Sequence, residues 1–413
     1  MKDLFAKQRI LGHDQVLNGL TKVDALLAEL IYEGKVPGLS VSVLKDGITI
    51  FQKGYGYSDL EVRLPVDPNK TLFRIASVSK PIAATALAHM VAEGLIDLDA
   101  SFYEYVPYYP KKKWDFTIRQ LASHTAGIRG YRGVEYGLNQ PYTIKEGIDI
   151  FKNDPLIFEP GKGYLYNSYD WVLVSLAMQE ASGIPFEEYV RQRVLEHLAM
   201  ENTFPESPSG NHFDKNGEDG RETDGTGDVN YREDTTHTGN SNKTEDLKAS
   251  DALRTSKDGP KKAWPSNKIF PHVSKFYTKN RRGGFREAIP VNNFYKLAGG
   301  GYLSTSADIA KFGQAHLEEA ILNESVRAQF LNSQVVNGKP TYYGLGWQIS
   351  EDAKGRPYYG HVGNGVGGYS NFFVYPEAGM VFAILLNCTD PKVQEELNVA
   401  IATLVNLHKV IDV

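Results

Sequence analysis

Thr71-Leu72-Phe73-Arg74-Ile75, followed after Ala76 by Ser77-Val78-Ser79-Lys80, is the stretch whose reading decides what this chain is. The first five residues read as an extended approach, and 81–90, opening on Pro81 and rich in Ala and Leu, reads as a buried helix. Three residues along a helix is nearly one turn, so Ser77 and Lys80 share a face. A serine hydroxyl is a poor nucleophile until a neighbour takes its proton. A lysine can do that only where burial or a nearby cation lowers its pKa. Alone, the same four residues also read as an N-cap serine followed by a solvated lysine. Residues further along the chain decide between the two.

With 413 residues, 41% hydrophobic and 23% charged, the chain has the composition of a globular protein of two or three domain-sized units. A net charge of -5 and the lack of a Lys/Arg stripe with interleaved aromatics argue against a nucleic-acid partner. Lys111-Lys112-Lys113 reads as a solvated loop. Cys388 is the only cysteine, which excludes an intrachain disulfide or a cysteine metal cluster; beside the apolar run 380–386 it reads as a small buried thiol. No cofactor or metal is expected. The N-terminus lacks the apolar stretch of a signal peptide and no run is long enough to span a membrane. Either the chain stays inside, or a targeting segment has been removed and it is exported.

Residues 14–33 repeat apolar side chains at helical spacing, and 39–44 and 48–52 read as strands joined at Asp46-Gly47, a strong hairpin signal. Beyond Lys80 the pattern turns helical, clearest at 87–98, 118–122 and 171–182. The stretch 205–265 is polar and too poor in apolar residues to offset its ordering entropy, so it reads as a mobile insertion. Asp214, Asn216, Asp219 and Asp228 within it fail the spacing of a calcium loop. Short strands are expected at 276–278 and 288–291, a helix at 306–317, strands at 344–349, 371–375 and 381–386, and a closing helix at 393–407. The expected fold is therefore α+β: an antiparallel sheet built from both chain ends, flanked by N- and C-terminal helices, with an inserted, mostly helical domain. The expected domains are 1–75 with 300–413, and 76–299.

Two later motifs give the serine and lysine company: Pro160-Gly161-Lys162-Gly163-Tyr164-Leu165-Tyr166-Asn167-Ser168 and His361-Val362-Gly363-Asn364. Val36-Pro37-Gly38, Lys53-Gly54-Tyr55-Gly56, Leu121-Ala122-Ser123-His124-Thr125-Ala126-Gly127, Ala298-Gly299-Gly300-Gly301-Tyr302-Leu303-Ser304-Thr305 with Asp308, and Tyr343-Gly344-Leu345-Gly346-Trp347 fall in order around them. This set resembles the serine beta-lactamase-like superfamily, which includes class C beta-lactamases, penicillin-binding DD-peptidases and related esterases and peptidases. The stretches 151–156 and 295–305 are most similar to its mitochondrial beta-lactamase-like branch in animals and bacterial relatives.

The resemblance implies that Ser77 is the acylated nucleophile, Lys80 its proton acceptor and Tyr166 the shuttle to the leaving group. It also implies an oxyanion hole made by the backbone N–H groups of Ser77 and Asn364, with Ser168, His361 and Gly363 beside the substrate. A tyrosine ionises near pH 10, so Tyr166 would act as a base only if a cation such as Lys80 favoured its phenolate. Tyr164 competes for its place, but the Pro-Gly register favours Tyr166. Ser79 reads as structural, and His124 and Thr125 as holding a turn.

Two departures shape the expected activity. Class C enzymes carry Tyr-x-Asn, whereas Ser168 stands where that asparagine belongs and Asn167 comes one residue early. The third box opens with His361, mostly neutral at pH 7, where lactamases use a lysine to hold the substrate carboxylate. The expectation is a serine hydrolase acting on a small-molecule or peptide amide or ester, with peptidase or esterase favoured over weak beta-lactamase. The alternative is a catalytically weak penicillin-binding sensor or an assembly-forming member of the fold.

Overall fold

The computed structural model describes residues 2–207, 272–318 and 321–410, with backbone alone for 2–14. The polar stretch 205–265 and its candidate calcium ligands, Asp214, Asn216, Asp219 and Asp228, lie outside the described residues apart from 205–207.

Helix α1 (Lys2–Tyr32) leads into strands β1 (Gly38–Lys45) and β2 (Ile48–Asp59). Asp46 and Gly47 both take positive φ, 47° and 81°, which is what a two-residue turn of matching twist requires. A two-residue strand, β3 (Leu64–Pro65), ends this edge. Helix α2 (Ser79–Ala92) follows the Ser77 turn and is buried nearly all round, as its Ala-rich composition demands of a central helix. It stops at Ala92, short of the expected 98, because Gly94 takes φ +71° and turns the chain. Helix α3 (Ile118–Ala122) opens on a capping box of Thr117 and Gln120. Helix α4 (Tyr169–Ser182) ends on Gly183 in the left-handed region.

Helix α5 (Ser306–Leu317) has the expected bounds. Strands β4 (Gln348–Glu351), β5 (Pro357–Gly365), β6 (Gly368–Tyr375) and β7 (Met380–Leu386) then precede helix α6 (Gln394–Val405). The main sheet has seven strands in the order β4-β5-β6-β7-β1-β2-β3. Its centre joins the two chain ends: β1 pairs antiparallel with β7 from Leu39↔Leu386 to Lys45↔Met380. Val23, Leu27 and Leu30 of α1 and Leu397, Ile401 and Leu404 of α6 share one core with Leu39, Val41, Val43, Phe382, Ile384 and Leu386 of the sheet. Each such buried side chain contributes about 1.5–3 kcal/mol of apolar transfer energy. On the opposite face α5 sits close, since a Cβ at Gly313 would lie 2.4 Å from Val381.

Three local expectations need correction. Residues 285–287 form the strand that pairs with 277–279, not 288–291. In the stretch 344–349 only Gln348 and Ile349 belong to a strand. Strand β5, which carries His361 to Asn364, had no counterpart in the sequence reading. Its glycines 360, 363 and 365 depress strand propensity, but at 360 and 363 close approach of other backbone needs them. No helix among the described residues is long and apolar enough to cross a membrane.

Candidate active site

A 3₁₀ turn, Ala76–Val78, stands immediately before α2 and carries Ser77. Ala76 takes φ 46°, a strained setting for a residue with a Cβ and one that persists only where its surroundings impose it. Those surroundings are identifiable: the Ile75 N–H donates to the Tyr302 carbonyl at 3.2 Å, and Ser370 Oγ donates to the Ile75 carbonyl at 2.7 Å. Ser79 Oγ accepts the Tyr302 N–H at 3.2 Å, a structural task. Ser77 is thereby left half-buried while Val78, Ser79 and Lys80 are buried.

Lys80 is fully buried, its Nζ 3.1 Å from Ser77 Oγ and donating to the Gly299 carbonyl at 2.8 Å. Burial pushes its pKa down to about 7; Asp170 opposes the fall and the charge of Lys296 adds to it. Near neutral pH the amine can therefore accept a proton. Tyr166 donates to Ser77 Oγ at 2.7 Å, and its ring lies 4.8 Å from Lys80 Nζ. Burial raises the Tyr166 pKa, outweighing the opposite effect of the Ser77 hydrogen bond. Tyr166 is thus a neutral phenol able to donate a proton, and Lys80 is the neighbouring group able to accept one. Tyr164 instead lies beside the His124 and Tyr343 rings, 6.3 Å from each.

The loop that presents Tyr166 is clamped by the 124–127 turn. His124, at φ 63°, accepts the Leu165 N–H at 3.0 Å through its carbonyl, and Thr125 accepts the Gly161 N–H at 2.8 Å. The His124 ring packs 4.6 Å from that of Tyr166, and its Nδ1 lies 2.8 Å from Asp170 Oδ2. Burial drives this pair toward neutrality, lifting Asp170 well above the usual carboxylate range and holding His124 well below that of a histidine. Asn167 spends its amide inside this wall, donating to Asp170 Oδ2 at 2.6 Å, the Leu165 carbonyl at 3.0 Å and the Ile128 carbonyl at 3.2 Å. Ser168, the next residue, lines the cleft.

Strand β5 forms the facing wall. His361 is fully buried, and its Nδ1 lies 2.7 Å from the Val362 carbonyl, which can only accept. The proton is therefore on Nδ1, and Nε2 accepts from the Tyr343 hydroxyl at 3.0 Å. Burial, reinforced by Lys80, pushes His361 down to about 3, so it is neutral. Both ring nitrogens are thereby engaged, so in this arrangement His361 has no free nitrogen of its own. Gly363 has no room for a side chain: a Cβ there would lie 2.3 Å from the Ile75 carbonyl oxygen and 3.2 Å from Ser77 N. Asn364 follows it and lines the cleft with Ser77.

The cleft, of about 310 Å³, brings together Ser77, Ser168 and Asn364 with Tyr131, Tyr136 and Lys296. Sequence reasoning missed Asp170, Tyr343 and Lys296. Asp170 looks like an ordinary acid in the first turn of a helix, Tyr343 sat in a quoted motif without a role, and Lys296 carried no local signal. No group of three or more His, Cys, Asp or Glu side chains among the described residues could hold a metal ion.

A family model described as Beta-lactamase matches residues 23–406. Among curated proteins, the human serine beta-lactamase-like protein LACTB, mitochondrial, is 24% identical over 85% of this chain and 71% of its own length. Protein flp of Staphylococcus aureus (strain MW2) is 26% identical over 44% of this chain and 37% of its own. Among solved structures, the D-amino acid amidase of Ochrobactrum anthropi SV3 superposes with TM-score 0.70 at 19% identity, covering 95% of this chain and 99% of that one. The octameric penicillin-binding protein homologue of Pyrococcus abyssi gives 0.67 at 22% identity, covering 94% and 77%. Likeness at this identity speaks to the fold.

Proposed function

The chain belongs to the beta-lactamase family, and from that premise we propose that it is a serine hydrolase working through an acyl-enzyme on Ser77. The observation that carries the reading is the convergence on one hydroxyl of Lys80 at 3.1 Å and Tyr166 at 2.7 Å. Neutral Lys80 takes the Ser77 proton as Oγ bonds to the substrate carbonyl carbon. The carbonyl oxygen becomes an oxyanion held by the N–H groups of Ser77 and Asn364. The bond to the leaving group then breaks, and its nitrogen or oxygen receives the proton from Lys80 through Tyr166. Water next attacks the ester carbonyl, giving its proton back along the same path and releasing the acid and Ser77. On this reading the cleft lies where the 1–75 and 300–413 domain meets the inserted 76–299 domain.

Esters and amides are favoured over beta-lactams for two reasons. His361 offers no charge to a penicillin-like carboxylate, and the Asn167 amide is spent inside the wall. Because a D-amino acid amidase shares the fold, amino acid amides belong among the substrates to try. The test is release of product from p-nitrophenyl esters, D-amino acid amides and a chromogenic cephalosporin by wild type and Ser77→Ala. The proposal expects ester or amide turnover above cephalosporin turnover, abolished in the variant. Turnover retained by Ser77→Ala would sink it. Stable acylation without turnover would instead favour a penicillin-binding sensor, the second reading, which the consumed Asn167 amide supports.

A further inference from the structure

The cleft beside Ser77 lies on one side of the nucleophile. Its lining includes Ser168, Tyr131, Tyr136, Lys296 and Asn364 but neither Tyr166 nor Tyr343. Tyr166 hands its proton to the leaving group, so the leaving group occupies the Tyr166 side. The cleft is then left for the acyl half of the substrate.

Lys296 is the unbalanced charge in that half. It is only 7% exposed, and its Nζ donates to the Tyr136 carbonyl at 3.0 Å. The same Nζ lies 5.1 Å from the Tyr131 ring and 5.5 Å from the Tyr295 ring. An ammonium has three N–H donors, and one carbonyl with two aromatic faces leaves it short of partners. No aspartate or glutamate among the described residues pairs with it. The other charged groups lining the cleft are balanced: Arg74 binds Glu206 at 3.0 Å, and Asp390 binds Lys392 at 2.6 Å. A buried cation without a counter-ion is costly to hold, and an incoming anion relieves that cost.

We infer that Lys296 reads a carboxylate on the acyl half of the substrate, so the substrates are esters or amides of acids that carry a second, distal carboxylate. This rests on the acyl-enzyme reading of Ser77, which assigns the cleft to the acyl group. The anion site of this protein then lies in the cleft, which His361 does not line. Lys296 acts here as a specificity residue, and the bond-making steps are those given above.

Binding and turnover test the inference separately. In the Ser77→Ala background, calorimetric titration with adipate and with its neutral counterpart adipamide should show adipate bound more tightly, by about tenfold or more. Lys296→Met should erase that preference and Lys296→Arg should keep part of it. Equal binding of the two probes, or a preference untouched by Lys296→Met, overturns the inference. For catalysis, the ratio of kcat/KM for the p-nitrophenyl monoester of adipic acid to that of its methyl-capped diester should fall about tenfold or more in Lys296→Met. The ratio cancels any effect of Lys296 on Lys80, and a lysine that merely anchored the Tyr136 loop would leave it unchanged. If neither ester is cleaved but adipate binds through Lys296, the anion site stands and the hydrolase reading fails. If both esters are cleaved with no preference, the reverse holds.

Discussion

The side of the candidate site that opens helix α2 presents side chains to Ser77, whereas the side formed by strand β5 brings backbone close to it. On the first, Ser77 and Lys80 meet within one turn, and Tyr166 comes down on them from the loop held by His124 and Thr125. On the second, His361 is sealed behind its bond to Tyr343, and Gly363 has given up its side chain so that Asn364 can stand beside Ser77. Reactive groups therefore depend on burial and on their neighbours' charges, which substitution or pH can alter. The facing wall depends on shape. Changes on the first should damage chemistry with the fold intact, and changes on the second should damage packing or do little.

The largest effect is expected from Lys80→Met, which removes the proposed proton acceptor and should slow Ser77 acylation by about 10²–10⁴-fold. Stopped-flow measurement with a chromogenic ester reads this, and an unchanged rate would take Lys80 out of the mechanism. Next comes pH. Because the proposed mechanism needs a neutral Lys80, whose pKa burial lowers to about 7, kcat/KM should be level above that pH. Below it, kcat/KM should fall about tenfold per unit as the amine becomes protonated. With Tyr166 raised above its ordinary value, no alkaline decline should begin before the usual tyrosine range near 10. An acid limb that persists unchanged in an active Lys80 variant would assign it to another group.

On the facing wall, Gly363→Ala would force a Cβ to 2.2 Å from Ser370 Oγ and 2.3 Å from the Ile75 carbonyl. A destabilisation of about 1–3 kcal/mol is expected, read as a lower denaturation midpoint. The smallest effect belongs to His361→Gln. Loss of a buried neutral ring with both nitrogens engaged should change kcat/KM by less than about tenfold, well short of losing a proton-transfer group. A loss as large as that of Lys80→Met would make His361 a reacting group and erase the distinction between the walls.

The same contrast explains what could be read in advance. Ser77 and Lys80 are three residues apart, so their meeting is a local property of one turn, as is the Asp46-Gly47 hairpin. That both chain ends contribute to one sheet was legible because Leu39 to Leu44 and Val381 to Leu386 are apolar runs with clear ends, and the two runs pair directly. Strand β5 was not, since Gly360, Gly363 and Gly365 speak against a strand unless the backbone crowding at Gly360 and Gly363 is known. Lys296 and Asp170 escaped for a related reason. What makes them matter is burial beside Lys80, a contact between distant parts of the chain that leaves no pattern in either segment.

Intact mass after treatment with a fluorophosphonate probe tests the central claim most directly. Wild type should gain one adduct, mapped by peptide fragmentation to Ser77, and Ser77→Ala should gain none. An adduct that persists in Ser77→Ala would place the nucleophile elsewhere and contradict the account.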